Sequence, residues 1–94
     1  MEGVLWQLLA SSRGAHNRVR IIQLLEERPR NANELADTLE LDYTTVRHHL
    51  DVLIENKVIT EATKGYGAIY MFTEQTHDHW DVVEKILNTV GESP

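Results

Sequence analysis

In the stretch Tyr43-Thr44-Thr45-Val46-Arg47-His48 every residue but the valine carries a hydrogen-bonding side chain. A guanidinium such as Arg47 can meet guanine O6 and N7 with two parallel bonds. Thr44 and Thr45 can bind phosphate or touch a thymine methyl, and His48 can donate to phosphate or base. The same residues would equally serve as the solvated side of an amphipathic helix. A second set, His77, His79, Asp81 and Glu84, is of zinc-compatible type, with His77, Asp81 and Glu84 recurring on one helical face. Their spacing does not close a ligand set, and acids at a helix start favour its dipole, so neither a metal site nor a cofactor is predicted. The chain has no cysteine, which excludes disulfides, thiolate metal sites and cysteine catalysis. It also has no glycine-rich phosphate loop and no nucleophile motif, and the adjacent His48 and His49 would point about 100° apart on a helix, so no enzyme is predicted.

Positioning these residues requires a particular order of elements. Residues 3–11 read as an amphipathic helix with Val4, Leu5, Leu8 and Leu9 on one side, interrupted by Gly14. Over residues 15–27, Ala15, Val19, Ile22 and Leu25 recur at helical spacing, with Ile21 and Leu24 beside them, and Pro29 stops the helix. Asn33 is the expected N-cap of a short helix to Leu39, with Glu34 in its first turn. Asp42 offers a second cap, and Val46, Leu50, Leu53 and Ile54 mark the inner face of a helix to Glu55. His49 falls near that face, which predicts a partly buried structural histidine. Asn56 is expected to end the helix in a left-handed conformation. From Val58 the apolar period falls to about two residues, and VITEAT and AIYMFT flank KGYG as a β-hairpin. Thr73 then caps a last helix over residues 74–90, with an apolar seam of Trp80, Val83, Leu87 and Val90.

The predicted fold is mainly α with a β-hairpin, in the order α-α-α-α-β-β-α, with a very short strand near Asn31. That is a winged helix-turn-helix, whose second motif helix enters the major groove. Its packing demands are met: Ala36 is small where two helices cross, Leu39 and Leu41 fill the angle, and Val46 and Leu50 line the inner side. One domain over residues 1–94 is expected, with a DNA-binding core at about 15–73 and flanking helices at 1–12 and 74–90. Lys64 and Tyr66 fall at the wing tip, a natural place for phosphate contact, although a tight turn alone explains the neighbouring glycines.

The segment ELADTLELDYTTVRHHLDVLIENKVI resembles the recognition half of ArsR-like winged-helix transcriptional regulators, and RVRIIQLL resembles the helix before it. PRNANELA, LDY, VRHHLDVL and GYGAIY are most similar to the short archaeal members. Glu40 and Lys57 stand where those proteins often carry glycine, with Asn56 as the expected substitute for the second. The resemblance implies a cytoplasmic, sequence-specific regulator of double-stranded DNA, a repressor more readily than an activator. It implies backbone contacts from Arg13, Arg18 and Arg20, and a homodimer formed through the first and last helices. Leu5, Leu8, Leu9, Trp80, Val83, Leu87 and Val90 would form that interface, because so small a core cannot bury both the first helix and the seam. Packing of the last helix on the first within one chain is the alternative. A two-fold dimer would present two recognition helices to half-sites of a pseudo-palindromic operator about one DNA turn apart. The effector is left open, and a metal-responsive repressor using the last-helix His, Asp and Glu residues is a further alternative.

Charge opposes this reading at first sight. With 15 acidic and 9 basic residues the formal net charge is −6, whereas nucleic-acid binders are usually basic. The balance is uneven: residues 1–30 sum to +2, and residues 31–57 and 58–94 each sum to −4. Arg13, Arg18, Arg20, Arg47 and Lys64 are therefore expected to gather on one face while the acids lie elsewhere. A winged-helix module that binds protein and not DNA remains the alternative that the acidity favours. No apolar run approaches the roughly 20 residues of a membrane span, and no basic, apolar and small-residue leader pattern occurs, so a soluble protein without membrane partners is expected.

Overall fold

In the computed structural model, which describes residues 1–63 and 67–90, the chain opens with helix α1 (Glu2–Trp6). The helix continues over Gln7–Ser11 as a wider, π-type turn. Gly14 then reverses the chain at φ +87°, and helix α2 runs over Ala15–Glu27. A residue ahead of proline is crowded out of the helical region, and Arg28, before Pro29, is accordingly extended. Strand β1 (Arg30–Asn31) leads directly into helix α3 (Ala32–Leu39). The cap of α3 is Asn31 and not the expected Asn33. The Asn31 side chain accepts from the Glu34 amide at 2.8 Å while the Glu34 carboxylate accepts from the Asn31 amide at 3.1 Å, a reciprocal capping box that places the start two residues earlier.

Helix α4 (Tyr43–Glu55) follows after a tight turn, with Asp42 at the N-cap position but no side-chain cap bond. Both motif helices end in the same way. Glu40 (φ 57°) and Lys57 (φ 61°) occupy the left-handed region, and the next amides, Leu41 and Val58, bond back to the carbonyls of Ala36 at 3.0 Å and Leu53 at 2.9 Å. These are Schellman closures at the two positions where glycine was missed. Asn56 does not substitute for Lys57. Asn56 has φ −93°, and its side-chain amide instead donates to the Val52 carbonyl at 2.9 Å. A non-glycine residue in that region costs about 1 kcal/mol.

Strands β2 (Ile59–Glu61) and β3 (Ile69–Phe72) form the wing, and β1 pairs with the outer side of β3 to give an antiparallel sheet in the order β1-β3-β2. The register sets Arg30 opposite Tyr70 and Ile59 opposite Phe72. Along β3 the side chains alternate: Tyr70 and Phe72 are buried, and Ile69 and Met71 face out.

The last helix is broken. It divides at His79 into α5 (Glu74–Asp78) and α6 (Trp80–Val90). Thr73 caps α5 as expected, accepting from the Thr76 amide at 3.1 Å. The buried Thr76 hydroxyl donates to the Val58 carbonyl at 2.7 Å, fixing this first turn to the start of the wing. The break lets α6 turn onto α1, where Val83 and Ile86 become fully buried. Most of the expected dimer surface is thereby used within the chain. Leu5, Leu8, Leu9 and Val83 belong to the chain's own core and have almost no surface to offer a second copy, while Trp80, Leu87 and Val90 stay half-buried. The apolar side of this first helical stretch is covered within the chain, by α2 and α6. No described helix is long and apolar enough to cross a membrane.

Gly14 is the tightest point of this frame. A Cβ placed on it would sit 2.8 Å from the His49 ring and 3.0 Å from the Arg18 guanidinium, at a backbone angle that disfavours side chains. Gly14→Ala is expected to destabilise the protein by about 2 kcal/mol or more, read from the urea midpoint; an unchanged midpoint would refute the contact.

Candidate nucleic-acid interface

Helix α4 has two distinct sides. Val46, His49, Leu50 and Leu53 face the core, whereas Tyr43, Thr44 and His48 are exposed and Thr45 and Arg47 are half-buried. The outer residues named from the sequence therefore share one surface. Tyr43, at 51% exposure, is the most exposed large apolar side chain of the described residues.

Arg47 is held from two directions. Its guanidinium donates to the Tyr70 hydroxyl on β3 and, at 3.0 Å, to the Asp51 carboxylate one turn along its own helix. Its central carbon also lies 5.8 Å from the centre of the Tyr70 ring. Burial raises the Tyr70 phenol above its ordinary pKa, with Arg47 opposing and Glu61 assisting, so a neutral hydroxyl receives the guanidinium bond. These contacts fix the orientation of Arg47 and leave further N–H groups for a ligand. Asp51 also neutralises it, which lowers the positive potential of the face.

Beside Arg47, Asn33, Tyr43, Gly67 and Tyr70 line a shallow polar recess of about 80 Å³ where α3, α4 and the wing meet. The sequence reading missed Tyr70 and Asp51. Their signals were present: Asp51 stands four residues after Arg47, a helical ion-pair spacing, and the alternation of AIYMF puts Tyr70 on the inner side with Phe72.

The arginines near α2 do not gather on one face. Arg18, expected to meet the DNA backbone, is buried. It donates to the carbonyls of Leu8 at 2.9 Å and Arg13 at 3.0 Å and to the Ser12 hydroxyl, and its Nη1 lies 3.3 Å from His49 Nδ1. Carbonyls at the end of a helix lack partners, and a cation there is the natural donor. Arg20 is half-buried and donates to the Leu39 carbonyl at 3.2 Å, at the end of α3. Arg28 pairs with Glu34 at 2.8 Å, and the buried Arg30 pairs with Glu27 at 2.7 Å. Arg13 alone of the five is exposed with no side-chain bond among the described residues. Lys64 and Tyr66 lie outside the described residues.

The last-helix candidates also separate. His77 packs edge-on to Phe72, with ring centres 6.0 Å apart, and His79 donates from Nδ1 to the Gln75 carbonyl at 3.0 Å. Asp81 and Glu84 are exposed, and no three His, Asp or Glu residues cluster as a ligand set among the described residues.

The arrangement of a core-anchored α3–α4 pair, an outward polar face and a wing bonded to that face defines a winged helix-turn-helix regulator of the DNA-binding class. The family described as "Bacterial regulatory protein, arsR family" matches residues 16–60, and this segment is an ArsR-family helix-turn-helix domain. Among solved structures, Rv0081 of M. tuberculosis is 26% identical, with a TM-score of 0.70 over 95% of this chain and 87% of its own. MarR of Staphylococcus aureus, solved with salicylate and kanamycin, is 17% identical, with a TM-score of 0.68 over 96% of this chain and 63% of its own. The adhesin competence repressor AdcR of Streptococcus pyogenes is 16% identical, with a TM-score of 0.60 over 97% of this chain and 78% of its own. The last two likenesses concern the fold. Comparison with curated protein sequences gives no match. The helix-turn-helix segment and the fold are those of DNA-binding transcriptional regulators.

His49 links this face to the core. Burial, then the charge of Arg18 and then His48, lowers its pKa below the ordinary histidine value. The unfolded chain therefore binds this proton more readily than the folded one, so the stabilising effect is complete above the ordinary histidine range and is lost as pH falls through it. Urea midpoints measured from about pH 8 to about pH 5 are expected to fall, and His49→Gln, which keeps a neutral acceptor for Arg18, should flatten that fall. An equal slope in the variant would remove His49 as its source.

Proposed function

We propose that the chain is a sequence-specific repressor that acts as a homodimer on a pseudo-palindromic operator. The observation that carries this reading is the restraint on Arg47. A guanidinium reads guanine in bidentate fashion only when its plane is set, and Tyr70 and Asp51 set it on the outer face of α4. Thr44, Thr45, His48 and Tyr43 beside it supply phosphate and base-edge contacts, with Arg13 and, at the wing tip, Lys64 and Tyr66 on the backbone. Repression follows from occupancy, since a protein seated in the major groove of a promoter excludes the polymerase without any further activity.

The dimer rests on apolar surface that the core does not absorb. Val82, Leu87 and Val90 on α6 and Trp6 on α1 are half-buried. Pairing these helices about a two-fold axis would cover them and direct two copies of α4 to successive major grooves. In sedimentation velocity the parent is expected as a dimer and Leu87→Asp as a monomer of unchanged helicity. A monomeric parent, or a dimeric variant, would reject this surface.

The acidity supports a second reading, a winged-helix module that binds protein. Engagement of Arg18, Arg20, Arg28 and Arg30 within the fold reduces the cations available for phosphate. Salt titration of binding to duplexes selected from genomic fragments separates the two. Affinity is expected to fall as salt rises, with a shallow slope set by few phosphate contacts. Arg47→Ala should lose about 1–3 kcal/mol of discrimination between selected and scrambled sites while keeping its salt slope. No binding even at low salt would favour the protein-binding reading.

A further inference from the structure

A second recess lies away from the α4 face. It is an open cleft of about 450 Å³ between the end of α2, the last residues of β3 and the α5–α6 junction. Its volume is that of a site for a small organic molecule. Three aromatic side chains form one wall. Phe72 and Trp80 meet at 62° with ring centres 5.0 Å apart, Phe72 and His77 lie 6.0 Å apart, and His77 and Trp80 lie 6.3 Å apart. Met71, 39% exposed, adds a soft and polarizable edge.

The rim determines which ligand this wall suits. Glu26, Glu27 and Arg28 all line it. Glu27 is paired with Arg30 and Arg28 with Glu34, so each of those charges is matched. Glu26 has no ion pair among the described residues and leaves the rim with one excess negative charge. Aromatic rings present negative faces, and with one carboxylate beside them they favour an alkylated cation over a neutral or anionic guest.

The cleft also shares a strand with the α4 face. Phe72 in its wall and Tyr70 on Arg47 are two residues apart on the same side of β3, the strand shared by both sites. A guest seated against Phe72 would therefore press on the strand that also carries the Tyr70 contact to Arg47. We propose that this cleft is an effector site for a small organic cation bearing apolar groups. The part of the proposal that concerns regulation rests on the DNA-binding reading given above.

Benzyltriethylammonium is a suitable probe, with benzoate as the aromatic anion of opposite charge. In a Trp6→Phe background the remaining indole, Trp80, reports occupancy in DNA-free protein. Saturable quenching by the cation and none by benzoate is expected at pH 8. Glu26→Gln should weaken binding about five- to tenfold, and Met71→Lys, which sets a like charge at the mouth, should weaken it further. Both positions are exposed, so both variants keep the fold, which their circular dichroism checks. Absence of saturable quenching, equal binding of benzoate, or indifference to both substitutions would overturn the site. Saturating probe is expected to change operator affinity about fivefold or more in the parent, with no change in Met71→Lys. Binding of the probe with unchanged operator affinity would overturn the effector role, and probe binding by a protein that has no operator would overturn the DNA reading while leaving the cleft intact.

Discussion

Arg18 brings a guanidinium into the interior with no carboxylate to meet it among the described residues, and the frame around the recognition helix depends on how that charge is satisfied. A buried cation is tolerated only when its donors are met. Here the acceptors are the Leu8 carbonyl near the end of the first helix, the Arg13 carbonyl and Ser12 hydroxyl in the loop after it, and the ring nitrogen of His49. They come from three places: the first helix, the loop through Gly14, and the inner face of α4. One side chain of α2 therefore fixes three neighbours. Desolvation lowers the Arg18 pKa, but each of the three guanidinium nitrogens meets an uncharged acceptor, so the charge is held by hydrogen bonds and not by an ion pair. Gly14 belongs to the same constraint, because only a residue without Cβ lets the loop come this close to His49 and Arg18.

The two helix ends of the motif show a second economy. Glu40 and Lys57 accept the left-handed conformation that glycine would take more easily. The reason is the bond back to the preceding turn in each case, together with Leu41 and Val58, which follow them and pack on the core. The closure of the turn determines the angle between α3 and α4. The residue at the left-handed position need only tolerate it.

The acidity of the chain has a structural counterpart. Four of the five arginines in the first thirty residues serve the fold, and Asp51 offsets Arg47 on the α4 face. A protein so arranged has little general attraction for polyanions, and selectivity must come from placed contacts. The wing strand is central to that placement. Tyr70 holds Arg47 on one side of the molecule, and Phe72 on the same strand closes the aromatic wall of the α2–β3 cleft on another.

What the sequence determined by itself was the order of elements and the two-sidedness of α4, because apolar spacing and turn residues are local and survive without knowledge of neighbours. The burial of Val46, His49 and Leu50, the wing, the short strand at Asn31 and the Thr73 cap were all legible in this way. The reach of charged side chains was not. Arg18 lies at a helix start where an arginine could equally face solvent, and only the arrival of the Leu8 and Arg13 carbonyls drew it inward. The apolar seam of the last helix likewise fits a second chain or the same chain. The break at His79 decided for the same chain at Val83 and Ile86, since it turned α6 onto α1. Periodicity states which face of an element is apolar, but not what will cover it, and long polar side chains bond to whatever tertiary folding brings within reach.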